Sequence, residues 1–370
     1  MLAAQTICCI DGSFGEGGGQ IIRNAVSLST LLSKPISIQN VRFNRRPPGL
    51  RKQHEAGIRL AADIASAKTV GVHQGSTSVE FTPSRLELPR VLAADPGTAG
   101  STTLLLQVAL PCLLFSSSTS IESALTLRGG TNASMAPQID YTLQVFLPFL
   151  RRRFGVDIGL KIVQRGYFPK GGGSIYCTIP PLSKPLQAIT ILERGPIKKI
   201  WGEARVGGLP VVIANKMKAA AEAKLIAKGL SSGLIRIDAL RERQQDAVAS
   251  GGGIVLWAET ENGCVIGGSC VSTRDKDPSQ VGEEAAQSLL DNLQHDECVD
   301  EHLQDQMIIF MALAEGKSTV RTGPLTEHTR TAIHVAELMT TARFTVEKIG
   351  SGAHTIACEG IGYKPAFECP

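Results

Sequence analysis

The chain has 370 residues, 43% of them apolar, which is enough to bury one large or two ordinary domains and excludes a disordered chain. Its 38 Lys and Arg against 34 Asp and Glu leave a formal charge of only +4, which excludes a charge coat for polyanions but allows a local basic groove. Nine cysteines without a single Cys-x-x-Cys pair exclude a zinc ribbon or a dithiol redox motif and point to reduced thiols in an intracellular protein.

From the N-terminus, Met1 to Ile10 has neither a basic segment nor a cleavage-like site, so secretion is not expected. A glycine-rich turn, Gly15-Glu16-Gly17-Gly18-Gly19-Gln20, then opens a helix running to about Leu32. Glu16, Gln20 and Arg23 fall on one face of it. Glu16 is either a first-turn acid favoured by the helix dipole or a ligand for a divalent metal beside phosphates. A strand at Ile36–Val41 leads into a basic loop with Arg42, Arg45, Arg46, Arg51, Lys52 and His54 around Pro47-Pro48-Gly49. That loop is either solvated or the holder of a polyanion end, since guanidinium forks suit phosphate. An amphipathic helix follows through Ile58, Ala61, Ala62 and Ile64, then a strand pair, Thr69–Val72 with Ser78–Phe81.

The same order recurs. Pro96 to Gly100 precedes a helix at Leu104–Leu114, whose apolar run is too short for a bilayer and contains Gln107, an amide that needs a partner if buried. A strand at Thr119–Leu127 and a turn at Arg128–Asn132 come next, then a helix closed by Arg151, Arg152 and Arg153, and a pair Val156–Gln164 with Ser174–Ile179. Residues 185–296 are unlike the rest. They read as strands at Ile189–Glu193 and Trp201–Val206, a helix at Val212–Lys228, strands at Leu234–Ala239, Ile254–Glu259 and Cys264–Val271, and a helix at Val281–Leu293. Ser250-Gly251-Gly252-Gly253 reads as a loop within them. The earlier order then resumes. A helix at Glu301–Leu313 carries His302, Asp305 and Gln306 on one face, a pattern that also fits an ordinary solvated face. A strand at Ser318–Arg321, a turn at Gly323–His328, a further helix, and the pair Phe344–Lys348 with His354–Cys358 close the chain. On that last helix His334 lies on the polar face, a solvated position. His328 lies with Ala332, Val335, Ala336 and Met339 at the first turn, where it is either a packed capping residue or a nucleophile.

The expectation is therefore an α/β fold: three β-α-β-α-β-β repeats forming a large domain (1–184 and 297–370), with a smaller inserted α/β domain (185–296). Six helix starts gathered on one side would make an anion site. Known phosphate loops do not supply it. Met311 stands where a Walker A loop ending in Gly316-Lys317-Ser318 needs glycine, and Gly15-x-Gly17-x-Gly19 lacks dinucleotide spacing.

Together these residues resemble the RNA 3′-terminal phosphate cyclase family. The likeness is carried by Gly15 to Arg23, Pro48-Gly49-Leu50-Arg51, Gly129-Gly130-Thr131-Asn132 with Ala136 to Tyr141, and His302 to Gln306 with the His328 helix. Its most specific part is Arg165-Gly166-Tyr167-Phe168-Pro169-Lys170-Gly171-Gly172-Gly173. The resemblance implies that His328 takes AMP from ATP and passes it to an RNA 3′-phosphate, after which the 2′-OH closes a 2′,3′-cyclic end. It implies an ATP site at Gln107, Pro137, His302, Asp305 and Gln306, with Mg²⁺ or Mn²⁺ at Glu16 and the RNA phosphate on Arg23, Arg42 and Arg45. His302 stands where the family commonly has tyrosine. The resemblance also suggests the nucleus, no membrane and no obligate protein partner. Three rivals are a non-enzymatic relative serving ribosome assembly, an enolpyruvyl-transferring enzyme on similar repeats, and an RNA-binding module without turnover. The first lacks the histidine, and the Arg165–Gly173 signature argues against the second. His328 at its helix start makes the third less attractive.

Overall fold

The computed structural model describes residues 6–84, 86, 88–115, 121–350 and 352–364. β1 (Cys8–Asp11), β2 (Ile36–Gln39), β3 (Lys68–Val70) and β4 (Val79–Thr82) form a sheet in the order β1-β2-β4-β3. β5 (Val91–Ala94), β6 (Ser123–Gly129), β7 (Gly159–Gly166) and β8 (Gly173–Ile179) form the next, in the order β5-β6-β8-β7. Thr119 and Ser120, expected in the strand that became β6, lie outside the described residues.

β9 (Thr190–Ile191) precedes a separate sheet made of β10 (Ile197–Gly207), β11 (Ile235–Arg241), β13 (Gly251–Thr260) and β14 (Val265–Val271), in the order β11-β10-β13-β14. Two helices, Val211–Ala227 and Pro278–Asp291, pack on that sheet around a core of its own that includes Ile200, Met217, Leu256 and Leu289. β12 (Ala247–Val248) leaves it and lies parallel to the edge of β7. Finally β15 (Glu315–Thr322), β16 (Arg343–Ile349) and β17 (Ala353–Ile361) form a sheet in the order β9-β15-β17-β16.

Three sheets thus share one plan. A parallel pair is bridged by a helical crossover, and an antiparallel hairpin inserts its second strand beside the pair. β9 departs from the sequence reading, which put this strand in the insertion. It runs parallel to β15, with Thr190 opposite Thr319 and Ile191 opposite Val320, and Ile191 is buried in the main core. Short strands do not reveal their partner by local pattern, since register is set by whichever sheet buries the apolar face.

Ser250 to Gly253 also departs from it. The three glycines belong to β13. A Cβ on Gly251 would stand 2.5 Å from the ring of Tyr167, so the missing side chain lets the aromatic side chain approach the strand closely. The helix expected over Glu301–Leu313 is divided at Met307 into Glu301–Gln306 and Ile308–Leu313. The helix Thr102–Leu114, nearly all buried, packs against Gly19–Leu32 and Lys52–Ala65 and so joins the first two units. Among the described residues no helix is long and apolar enough to cross a membrane.

Candidate active site

A cavity of about 650 Å³ opens between the large body and the insertion. Six helices begin at or within three residues of its wall. Gly19 and Gln20 start the first, Gln53 and His54 the second, and Ser101 and Leu104 the third. Pro137 precedes the helical run 139–154, while His302 and His328 belong to the first turns of their helices. Each start contributes backbone N–H groups that no intrahelical carbonyl satisfies, so the wall is electropositive independent of side chains. Five cationic side chains (Arg23, Arg42, Arg45, Arg51, Lys276) line it against two carboxylates (Glu16, Asp305). The arrangement suits a ligand with several phosphates.

His328 stands on the first turn of Glu327–Met339, whose cap is Thr326, its hydroxyl accepting from the Thr329 N–H at 3.1 Å. The imidazole is half exposed, and its Nε2 faces Glu16 Oε2 at 3.6 Å. The same carboxylate oxygen accepts from Arg45 at 2.6 Å. His334, one and a half turns on, stacks on Phe14 with ring centroids 3.9 Å apart. It is packed, contrary to the solvated position expected, because the glycine-rich turn folds back over that helix face.

Behind this front lies a buried relay. Gln20 donates through Nε2 to Asp305 Oδ2 at 2.7 Å and accepts from Arg23 through its carbonyl. Burial pushes the Asp305 carboxyl up and lowers the Arg23 guanidinium to about 10, still cationic at neutral pH, with Asp305 opposing the latter shift. Gly19 is needed here, since a Cβ would meet His54 Nε2 at 2.5 Å.

Arg42 and Arg45 line the cavity. Arg42 is braced by the carbonyls of Pro47 and Gly49, at 3.2 and 3.0 Å. On the opposite side His302 sets its ring edge-on to Tyr141 at 5.4 Å. Pro137 is held by the Thr103 hydroxyl, which donates to its carbonyl at 2.9 Å. Gln107 lines the wall too. Gln306 does not: its amide donates back to the His302 carbonyl at 2.8 Å, which turns it behind the wall. The helix spacing placed it on the right face but could not show this back-bond.

Spacing alone missed two parts of the site. One is the insertion's wall, including Ser269, Val271 and Lys276, which reads as an ordinary strand end and polar turn. The other is His54. Its Nδ1 accepts from the Arg51 N–H at 3.0 Å, which leaves the proton on Nε2. Burial, then the guanidiniums of Arg23, Arg42 and Arg51, hold its pKa down at about 3. A depressed histidine means that the unfolded chain takes up a proton between pH 6.5 and 3 that the folded chain refuses. Stability is therefore lost as pH falls through that window, by about 1.4 kcal/mol per pH unit at most. Replacing His54 by glutamine should flatten the acid side of the stability profile, measured by chemical denaturation at stepped pH. An unchanged slope would contradict it.

A model of the RNA 3′-terminal phosphate cyclase family matches residues 14–346. This chain belongs to that family. A relative in Dictyostelium discoideum named as a probable RNA 3′-terminal phosphate cyclase is 40% identical, over 96% of this chain and 83% of its own. RNA 3′-terminal phosphate cyclases of Drosophila melanogaster and Pyrobaculum aerophilum are 40% and 38% identical, over 97% and 96% of this chain and 98% of each of theirs. With such relatives over nearly its whole length, the chain is an enzyme of the cyclase family. The stretch Arg165 to Gly173 is absent from the cavity's lining. It pins the insertion to the body through a buried ion cluster: Arg165 holds Asp140 by two bonds of 2.6 and 2.7 Å, and Glu242 of the insertion at 2.7 Å.

Proposed function

We propose that this chain uses ATP to convert an RNA 3′-terminal phosphate into a 2′,3′-cyclic phosphodiester through a covalent AMP on His328. The observation that carries the reading is an imidazole Nε2 facing into a multi-cation cavity at a helix start, in a chain of the cyclase family. In the first step the Nε2 lone pair forms a bond to the α-phosphorus, and the bond to the β-phosphate oxygen breaks, releasing pyrophosphate. An oxygen of the RNA 3′-phosphate then attacks the adenylate and breaks the P–N bond. Finally the 2′-OH attacks that activated phosphate, loses its proton and expels AMP. One hard displacement is thereby divided into easier ones.

In this reading Gln107, Pro137, His302 and Asp305 hold ATP, with Gln306 supporting His302 from behind. Arg23, Arg42 and Arg45 hold the RNA phosphate. A divalent cation arriving with ATP would take Glu16 as its protein ligand and offset phosphate charge. The carboxylate fits that role: Oε2 pairs with Arg45, while Oε1 accepts no hydrogen bond among the described residues, and one carboxylate plus phosphates is a common Mg²⁺ arrangement. The eight described cysteines are free, which supports work inside the cell, with the nucleus as the proposed compartment.

The test is an oligonucleotide ending in a 3′-phosphate. It should become resistant to phosphatase only with ATP present, and its 2′-deoxy counterpart should stay sensitive because it has no hydroxyl to close the ring. A ribose end that remains fully sensitive after incubation with the wild-type chain would end the reading.

A further inference from the structure

The turn between Val41 and Arg45 presents two kinds of surface. Its arginines, Arg42 and Arg45, reach into the cavity. Between them Phe43 points to solvent, 66% exposed. A phenyl ring exposed to this extent keeps both faces open to a flat partner, and what sets it apart from other exposed apolar side chains is its place between two cavity arginines. Among the described residues it takes part in no aromatic pair, whereas Phe14 on the neighbouring turn is already stacked on His334.

The turn is also rigid. The Phe43 N–H donates to the Asn40 carbonyl at 3.1 Å, and the Arg45 N–H to that of Arg42 at 3.0 Å. Arg42 is clamped to Pro47 and Gly49, Asn44 donates to the Ser13 carbonyl at 3.2 Å, and Arg45 is paired with Glu16. A fixed ring loses little freedom when a flat partner lands on it. A solvent-facing aromatic interleaved with arginines is the chemistry that holds single-stranded nucleic acid: guanidiniums take the phosphates and the ring takes a base face. The partner's charge is set by the arginines on both sides, and its entry point by the cavity they line.

We propose that Phe43 is the stacking platform for the 3′-terminal nucleobase of the RNA whose phosphate lies between Arg42 and Arg45. This rests on the cyclase reading above and deepens it. The ring would act by positioning, so it should govern RNA capture and leave the reaction with ATP alone.

The experiment compares the wild type with Phe43→Ala, Phe43→Leu and Phe43→Trp. One substrate is a 3′-phosphorylated oligoribonucleotide, and the other is the same oligomer with its terminal base removed. ATP-dependent covalent labelling of each protein reports an intact fold and nucleotide site. Phe43→Ala and Phe43→Leu should raise KM for the intact oligomer about tenfold while labelling stays at the wild-type level, and Phe43→Trp should restore KM. The abasic oligomer should lose a similar factor with the wild type and nothing more with Phe43→Ala, since ring and base would be two halves of one contact. Equal KM values for Phe43→Ala and wild type, rescue by leucine, or additive losses would each overturn the proposal. Failure of the wild type to cyclise the intact oligomer would instead remove the cyclase reading, so the two failures are separable.

Discussion

His328→Ala loses all covalent labelling by ATP radiolabelled at the α-phosphate, and cyclisation of a 3′-phosphorylated RNA falls by about a thousandfold or more. The expectation follows from position. The alanine variant keeps the helix start, the arginines and Glu16, so nucleotide and RNA can still assemble, but no nitrogen is left to accept the adenylyl group. Loss of a covalent nucleophile removes a step rather than weakening a contact, and neighbouring groups do not replace it. His334→Ala is the control. Its ring lies against Phe14, and its loss should leave most of the labelling in place. The label on wild type should be acid-labile and alkali-stable, as a phosphoramidate is. Label persisting at wild-type level in His328→Ala would sink the nucleophile assignment.

Arg165→Ala should destabilise the fold strongly, by about 3–5 kcal/mol. Arg165 and Asp140 are each only 5% exposed, and Arg165 also meets Glu242, which in turn accepts from Arg205 at 3.0 Å. Deleting the guanidinium leaves the buried Asp140 with one long hydrogen bond from the Asn132 amide at 3.4 Å and a contact of 3.5 Å to Arg205. Arg165→Lys should recover only part of the loss, because one ammonium cannot span a bidentate carboxylate and Glu242 together. Arg165 and neighbouring groups hold the Asp140 carboxyl below its usual range despite burial. A depressed carboxylate contributes stability above its unfolded pKa of about 4, and the contribution disappears as pH falls through the lower, folded value. Denaturation midpoints at neutral pH check the size of the effect, and a shift below about 1 kcal/mol would contradict it.

The alternation of helix and strand, the hairpin pairs and the convergence of helix starts were all legible in the sequence, because each rests on local periodicity or punctuation. Glu16, Arg23, Arg42, Arg45, Gln107, Pro137, His302, Asp305 and His328 do line one cavity. What the sequence hid is non-local. Nothing near Thr190 says that its partner is Thr319. Nothing near Gly251 says that Tyr167 lies on it. His54 looks like one more member of a basic loop until the Arg51 N–H and three guanidiniums are seen around it. Gln306 shares a helical face with Asp305 and yet turns away, a choice made by one hydrogen bond.

The pairing of β9 with β15 also bears on how the chain assembles. When Ile191 leaves the ribosome, the strand it must join is still more than a hundred residues from being made. Bringing such distant segments together is slow and leaves an unpaired edge exposed meanwhile. The intervening stretch has its own apolar nucleus, with Ile200 at one end of its sequence and Leu289 near the other. Once it folds, it acts as a staple that draws its two ends together, and the wait becomes a short closure instead of a long search.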